Sequence, residues 1–513
     1  MFTVDFVNCF IFFLLCLFSV IFYYLFLVKK TKVGYDLPPS PPSLPIIGHL
    51  HLLLSLLLHK SLQKLSFKYG PLLHLRVFSI PIVLVSSASI AYEIFKTQDQ
   101  NVSTRNFLAN KGSLFFGSSG FVNAPYGDYW KFAKKLVVTK ILGPQALHRS
   151  RSVRADEIKR FYSNLLDKAM KKESVDVREE AMKLVNNIIC KMLIGRSCSE
   201  ENGEADKVRS LVTETNSLFM KFILAATLRK PLKKLGISLF KKELTDISRR
   251  FDTLLETILV ECEDKLSQEH HQDANLVDVI LKAYRDKNAE YNITRNHIKS
   301  LVLDLLVAGT DSTMHAIEWT MAEIINNPNV LDKLREEIDS VVRKTRLIQE
   351  TDLPNLLYLQ AVVKEGLRLH PEAPVMLRVF QERCEIKGFY IQEKTTLVVN
   401  LYAIMRDPEL WEDPEEFKPE RFLKSSKSGQ EEEIVREEHL KYIPFGSGRR
   451  GCPGSNLGYV SLGTAIGVMV QCFDWRIQGD RVNMNETTRS FILTMAHPLR
   501  CSPVPRIGTP LIL

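Results

Sequence analysis

The sequence has no pair of cysteines in the Cys-x-x-Cys spacing. Its nine cysteines are odd in number and scattered along 513 residues. This distribution excludes the disulfide framework of a small secreted protein and a cysteine-rich zinc site. The sequence also has no block of basic residues interleaved with aromatics, although its formal net charge is +9. We therefore expect an acidic protein partner or an anionic membrane surface, and no nucleic acid.

Charged residues are missing from the 23-residue stretch "FVNCFIFFLLCLFSVIFYYLFLV", Phe6 to Val28. A run of this length predicts a helix that crosses a bilayer. Three lysines follow at once, whereas Asp5 is the single charged side chain before the run. This asymmetry predicts an uncleaved single-pass anchor with the body in the cytosol. A cleaved signal peptide would need a basic start and a small-residue cleavage site, and neither is present.

Proline is concentrated just after this run, with five prolines between Pro38 and Pro45. Such a segment is a stiff linker, or a strut that sets the angle of the body to the membrane. We predict an anchor over residues 1–30, a proline-rich hinge over 31–50 and one catalytic domain over 51–513. Within that domain, helical periodicity dominates and short alternating stretches such as "LLHLRVFSIPIVLVSS" predict strands. The fold class is mainly α with a minor, mostly antiparallel β region.

The stretch "PFGSGRRGCPG" places a single cysteine, Cys452, among four glycines and two arginines. Glycine permits a close backbone approach or a positive φ, and nearby cations favour a thiolate. The pattern predicts an anionic sulfur held on a fixed turn. From these residues alone, it can be a nucleophile, a metal ligand or half of a disulfide.

Two further stretches carry charge in unusual settings. "AGTDST" interrupts a long apolar helical pattern with a glycine, Asp311 and the hydroxyls of Ser312 and Thr313, which suits proton delivery in a buried helix. An exposed polar patch is the alternative. "KEGLRLHPEAP" puts Glu365 and Arg368 on one face of a helix, and "FKPERF" adds Arg421.

Together, in this order along nearly the whole chain, these stretches resemble the cytochromes P450, the haem-thiolate monooxygenases. The resemblance implies the cytochrome P450 fold and haem b (iron protoporphyrin IX), with Cys452 as the axial ligand of the iron. Phe445 and Gly454 match the same loop. Glu365, Arg368 and Arg421 match the family's structural triad. Trp130, Lys134, Arg378 and Arg450 match positions that hold the haem propionates, and Asp311, Ser312 and Thr313 match its proton relay.

The sequence departs from the family pattern at two of these positions. Ser312 stands where threonine is usual, and Lys134 stands where arginine is usual. Serine keeps the hydroxyl without the methyl, so we expect looser positioning. Lysine keeps the charge but loses the planar fork.

The resemblance further implies an endoplasmic reticulum enzyme that takes electrons from NADPH through a flavoprotein, NADPH-cytochrome P450 reductase. Its substrates would be O₂ and a small lipophilic compound. An electron-independent haem-thiolate isomerase or dehydratase is one alternative, and a haem-binding sensor or carrier is another. The retained acid and hydroxyls argue against both.

The stretch "GFVNAPYGDYWKFAKKL" resembles a plant subfamily that oxidises triterpene alcohols, and flavonoid-type hydroxylation is the alternative. Hydroxylation, desaturation and C–C cleavage are all open. The positions that match substrate contacts are apolar and can equally be core: Phe107, Leu108, Leu114, Phe115, Phe116, Leu305, Ala308, Val375, Met376, Leu377, Ile492 and Leu493.

Overall fold

Helices form most of the described chain. The structure is a computed structural model that describes residues 6–22, 36–55, 57–78, 80–105, 120–195, 211, 214, 218, 221, 239–267, 275–342, 346–423, 441–489 and 492–506. The helices are α1 (Phe6–Phe22), α2 (Leu50–Leu53), α3 (Leu58–Tyr69), α4 (Ala88–Thr97), α5 (Asp128–Leu136), α6 (Pro144–Arg149), α7 (Arg151–Met170), α8 (Val177–Ile194), α9 (Lys241–Ser267), α10 (Leu276–Arg285), α11 (Arg295–Asn326), α12 (Pro328–Val342), α13 (Leu357–Leu369), α14 (Leu401–Ile404) and α15 (Ser455–Cys472). A π-helical turn, Val137–Ile141, extends α5.

The strands are short and mostly antiparallel, as predicted. They are β1 (Leu72–Val77), β2 (Ile80–Val85), β3 (Val175–Asp176), β4 (Val375–Val379), β5 (Cys384–Ile386), β6 (Phe389–Ile391), β7 (Thr396–Asn400), β8 (Phe473–Arg476), β9 (Glu486–Arg489), β10 (Ile492–Met495) and β11 (Arg500–Pro505). The largest described sheet has the order β1-β2-β7-β4, and its β2–β7 pair is parallel. Smaller groups are β3-β11-β8, β9-β10 and β5-β6.

The longest helix, α11, runs through the main core. It begins at a capping box in which Thr294 and His297 satisfy each other's backbone N–H groups. The Trp319 side chain is fully buried in it and stacks on His370 at 4.0 Å. Helix α8 packs beside α11 and ends at Gly195, whose φ of +75° is a left-handed helix end that glycine favours.

The helix α11 is continuous from Arg295 to Asn326. The polar stretch "AGTDST" therefore interrupts the apolar pattern of this helix, as the sequence indicates, without interrupting the helix itself. Gly309 serves packing instead, because a Cβ at that position would lie 3.0 Å from Ile189 Cδ1 on α8. Thr310 and Ser312 keep the helix intact by donating their hydroxyls to the carbonyls of Leu306 and Ala308, each at 2.8 Å.

Residues 6–22 of the N-terminal run form a helix of 17 residues, and residues 23–28 of the run lie outside the described residues. Among the described residues, no helix is both long and apolar enough to cross a membrane. The prediction of a transmembrane helix is therefore not met within the described part. The Phe10 to Phe18 side chains of this helix are exposed.

The described part of the proline-rich hinge lies against the body. The His74 N–H of β1 donates to Pro39 O at 2.8 Å, and the Tyr390 N–H of β6 donates to Asp36 O at 2.8 Å. The φ of Gly48 is +64°, and a Cβ there would lie 2.2 Å from Arg76 O. This part of the hinge is therefore fixed to two sheets rather than a free linker.

Candidate functional site

The cysteine loop, residues 444–454, lies directly before α15. Gly446 and Gly448 have φ values of +70° and +71°, which L side chains rarely adopt. A Cβ on Gly448 would also lie 2.3 Å from Asp99 Oδ1. Asp99 accepts hydrogen bonds from the Arg449 backbone N–H at 3.1 Å and from its guanidinium at 2.7 Å. The loop is therefore held in one conformation against the segment that follows α4.

Cys452 is a free cysteine whose side chain keeps accessible surface. Its backbone N–H donates to Phe445 O at 2.9 Å, which closes the turn. Burial raises the pKa of the thiol, while the Gly454 N–H and the cations Lys134 and Arg105 act in the opposite direction. The cations and the Gly454 N–H thus favour the thiolate, as expected, but desolvation of the sulfur outweighs them. A bound metal cation would deprotonate such a thiol.

A group of buried cations lies near Cys452: Arg105, Lys134, Arg378 and Arg450. Burial, together with repulsion from Arg105, lowers the pKa of Arg450 to about 9. Burial and the same repulsion hold the pKa of Arg378 well below its usual range. The Trp130 Nε1 and Arg105 Nε atoms are buried and have no hydrogen-bond partner among the described residues. Clustered cations with unused donors are costly, and a ligand with two carboxylates would relieve that cost.

These residues therefore fit haem, with Cys452 for the iron and the cations for the two propionates. Arg450 is largely committed elsewhere, because all three of its guanidinium nitrogens donate to carbonyls of residues 103–124. The Lys134 ammonium donates to Gly451 O at 2.9 Å. Arg105, which the sequence analysis missed, has an unused buried N–H and is the better candidate for a propionate. An isolated arginine in "STRNF" carries no motif that would have revealed it.

The predicted triad is assembled. Arg368 and Glu365 are fully buried and form a bidentate pair at 2.8 and 2.9 Å. The Arg421 Nε donates to the same carboxylate at 2.9 Å. Arg368 also donates to the carbonyls of Met405 and Pro414 at 2.8 Å. The triad thus ties α13 to residues 405–421.

The predicted proton-relay residues lie along α11. Ala308 keeps accessible surface, as Cys452 does, whereas Asp311, Ser312 and Thr313 are half-buried. The Ser312 hydroxyl donates to Ala308 O at 2.8 Å, which leaves its oxygen free to accept.

The predicted substrate positions other than Ala308 divide into three groups. Val375, Met376 and Leu493 are buried in hydrophobic clusters and belong to the core. Leu305, Leu377 and Ile492 are half-buried. The remaining five lie outside the described residues: Phe107, Leu108, Leu114, Phe115 and Phe116.

Asp304 is a further acid of α11, half-buried like Asp311, that the sequence analysis missed. Its carboxylate accepts the Val122 N–H at 3.0 Å and so binds α11 to the segment before α5. Burial raises its pKa to about 6, although the Val122 and Phe121 N–H groups and Arg105 act against this rise. The signal was available, because Asp304 precedes Asp311 by seven residues and therefore shares its helical face.

Comparisons with known proteins agree with this architecture. The family described as Cytochrome P450 matches residues 38–501. "Cytochrome P450 705A5" of Arabidopsis thaliana is 66% identical over 508 residues, which cover 99% of both chains. The "3,9-dihydroxypterocarpan 6A-monooxygenase" of Glycine max is 40% identical and covers 96% of this chain and 98% of its own.

A solved structure of a zebra fish cytochrome P450 with abiraterone has a TM-score of 0.70. It covers 88% of this chain and 99% of its own at 22% identity, so it supports the fold alone. With the family match over most of the chain and the high identity to plant relatives, the chain belongs to the cytochrome P450 family of monooxygenases.

Proposed function

We propose that this monooxygenase oxidises a lipophilic plant metabolite, most specifically a triterpenoid, with electrons that NADPH supplies through a flavoprotein reductase. For a hydroxylation, the substrate C–H, O₂, NADPH and one proton become C–OH, water and NADP⁺. Haem b, when bound, supplies the activation of O₂. The single observation that carries the proposal is the accessible thiol of Cys452 on a rigid glycine turn beside Arg105, whose buried Nε–H has no hydrogen-bond partner among the described residues.

In this proposal the protein holds the cofactor at both ends. Cys452 would ligate the iron, while Arg105, Lys134, Arg378 and Trp130 would hold the propionates. Phe445 and Gly454 shape the cysteine loop, since a Cβ on Gly454 would lie 3.8 Å from Cys452 Sγ. Glu365, Arg368 and Arg421 would hold the cysteine loop in place, and Tyr442 supports this role. Tyr442 precedes the loop, and the charges of Glu365 and Arg368 act on its hydroxyl. That hydroxyl also forms a hydrogen bond with the Tyr459 hydroxyl at 3.1 Å.

Protons would reach the active-site space along α11. Asp311 holds the proton, and the Ser312 hydroxyl, whose oxygen can accept, passes it towards Ala308. Thr313 offers a further hydroxyl one position on. The apolar side chains of Leu305, Leu377 and Ile492 would exclude water and contact the substrate.

The domain limits and the localisation belong to the same proposal. Residues 1–30 would anchor the chain in the endoplasmic reticulum membrane, residues 31–50 would fix its angle, and residues 51–513 would catalyse on the cytosolic side. The uncharged 23-residue run and the lysines after it support this orientation. Removal of residues 1–34 should release the enzyme from the membrane fraction, whereas full retention would contradict the anchor.

Flavonoid-type oxidation is the second candidate, because one relative is named for a pterocarpan substrate. The test is co-expression with a reductase and, separately, with triterpene synthases or with a flavonoid supply, followed by metabolite profiling. A new oxidised triterpenoid that needs NADPH supports the first candidate. A product only from flavonoids supports the second, and turnover without NADPH or reductase contradicts the monooxygenase reaction.

A further inference from the structure

Glu372 is a buried acid that follows α13 and that neither the fold nor the proposed haem site uses. Both oxygens of its carboxyl group are buried and have no hydrogen-bond partner among the described residues. Its backbone is fixed, because its carbonyl accepts the Leu493 N–H of β10 at 3.1 Å. An ionised carboxylate without a donor is very costly inside a protein, whereas the neutral acid is not. The surroundings therefore favour the protonated form.

The charges around Glu372 favour the same form. Burial raises its pKa well above the usual range, and the negative charges of Asp311 and Glu318 raise it further. The α8 cation Arg178 is committed to Glu318 at 2.8 Å. His370, which ends α13, bonds Glu323 at 2.7 Å through Nε2. None of the described cations therefore compensates a negative charge on Glu372.

Glu318 is the contrasting acid, with its charge fully compensated. It accepts Arg178 Nε and the Leu499 N–H at 2.9 Å, and His315 Nδ1 lies 3.5 Å from it. Burial acts to raise its pKa, but these partners outweigh burial and lower it. Two neighbouring acids pushed in opposite directions have different tasks: one carries charge and the other carries a proton.

The helix α11 lines up these groups. Asp311, His315 and Glu318 are spaced by four and three residues and share one face. Glu372 follows α13, and the negative charges of Asp311 and Glu318 both act on it.

We propose that Glu372 holds a proton in reserve for Asp311 and acts through it. After Asp311 has given up its proton to the active-site space, the proton of Glu372 passes to the Asp311 carboxylate through water between the two acids, and Glu372 then recovers a proton from water. No bond other than O–H forms or breaks, and no electrons are exchanged. The inference rests on the proposed relay role of Asp311.

The first test reads protonation without turnover. The infrared spectrum of the purified holoprotein at neutral pH should contain a carbonyl band of a protonated carboxylic acid. Glu372→Gln should abolish that band, and Glu372→Asp should shift its frequency. The matched control Glu323→Gln changes an acid of α11 that is paired with His370, and it should leave the band in place. A band that is absent in the wild type, or unchanged in E372Q, overturns the inference.

The second test reads proton supply. In E372Q, product formation should fall on the order of tenfold, below the hundredfold or more typical of a direct acid–base group, because water can still reprotonate Asp311. Peroxide formed per NADPH and the solvent isotope effect should both rise, while E323Q should match the wild type. Glu372→Asp, which retains an acid, should recover much of the loss, whereas a merely structural role would favour the near-isosteric Gln.

The outcomes separate this inference from the proposed function. If Asp311→Asn raises peroxide formation and E372Q does not, the proton reserve is wrong and the relay role of Asp311 stands. If neither variant changes peroxide formation, the relay role itself is contradicted. If E372Q fails to accumulate, the infrared band and the E372D kinetics still decide the question.

Discussion

The proposed ligand role of Cys452 depends on where the turn places its sulfur. Burial raises the pKa of the thiol, and the neighbouring groups do not outweigh burial. We expect Cys452→Ser to remove the red-shifted carbonmonoxy band that thiolate ligation produces. Serine keeps the shape of the side chain but does not supply the thiolate. The measurement is the carbonmonoxy difference spectrum of membranes or purified protein.

Cys384→Ser is the matched control for this prediction. Cys384 is also a free cysteine, half-buried in β5. It should keep the wild-type spectrum. A red-shifted band that survives in C452S would refute the assignment of the ligand.

At the scale of single residues, sequence patterns predicted some site residues and not others. The motif around Cys452 singled out the proposed ligand, since its composition differs from the rest of the chain. The motif could not reveal that the guanidinium of Arg450 donates hydrogen bonds to carbonyls of residues 103–124, or that Arg105 lies beside it. Those contacts join segments more than 300 residues apart in the sequence. Local pattern carries no information about them.

Gly366 shows how closely α13 approaches α11. A Cβ at this position would lie 2.4 Å from Thr320 Oγ1 and 3.1 Å from Thr320 Cβ. We expect Gly366→Ala to lower the free energy of unfolding by about 1–3 kcal/mol, as overpacked cores do. The measurement is denaturation by urea, followed through loss of the haem spectrum and of helical circular dichroism.

The second variant in this test is Thr320→Ala. In its background, the substitution of Gly366 should cost less, because the oxygen at 2.4 Å is gone. Equal costs in the two backgrounds would show that the contact does not limit packing.

Glu486 attaches the β9–β10 hairpin to α3. Burial acts to raise its pKa, but hydrogen bonds from His59 and Lys60 outweigh burial and lower the pKa to about 2. The folded-state pKa is thus below the unfolded value near 4.5. The stabilisation is present above that value and is lost as pH falls towards 2. We expect Glu486→Gln to destabilise the protein at pH 7, with a difference from wild type that shrinks in this acid range.

Thermal unfolding of both proteins across this pH range measures the effect. Glu290→Gln is a useful control, because Glu290 pairs with Lys135 at the exposed surface and such pairs contribute little. A constant difference between E486Q and wild type at every pH would contradict the linkage.

At the scale of helices and strands, the periodicity of hydrophobic residues predicted correctly which elements form and whether each is a helix or a strand. The alternating stretch at residues 72–86 forms β1 and β2, and the helical patterns became α7, α9 and α11. The polar stretch "AGTDST" does not break α11, and its glycine is explained by a second helix, because a Cβ at Gly309 would lie 3.0 Å from Ile189 Cδ1 on α8. Propensity describes one helix, whereas packing depends on two.

At the scale of the whole molecule, the chain should use its surface charge to meet the reductase. Lys131 and Lys135 on α5 are exposed, on the helix that carries Trp130. Both have acidic neighbours, Asp128 and Glu290, so their field is partly reduced. We expect Lys131→Glu with Lys135→Glu to slow reduction by the flavoprotein at low ionic strength, with the difference fading as salt rises.

Stopped-flow reduction across a salt titration measures this effect. The matched control is Lys241→Glu with Lys242→Glu, which makes the same charge change at the exposed start of α9. Equal reduction rates in both variants and the wild type would rule out docking at α5. The haem spectrum and substrate affinity should be unchanged throughout.

The bond between Arg449 and Asp99 spans 350 residues, and Arg450 reaches back to residues 103–124 over a similar distance. On the ribosome, Asp99 and residues 103–124 are synthesised long before Arg449 and Arg450 are translated. Loop closure over such a separation is slow, and larger proteins fold through incomplete intermediates. These contacts therefore cannot form until translation is almost finished, and the arginines that they bury stay hydrated until then. Haem binding is therefore expected late in synthesis. A transcript that ends before the cysteine loop would yield a polypeptide that cannot bind haem.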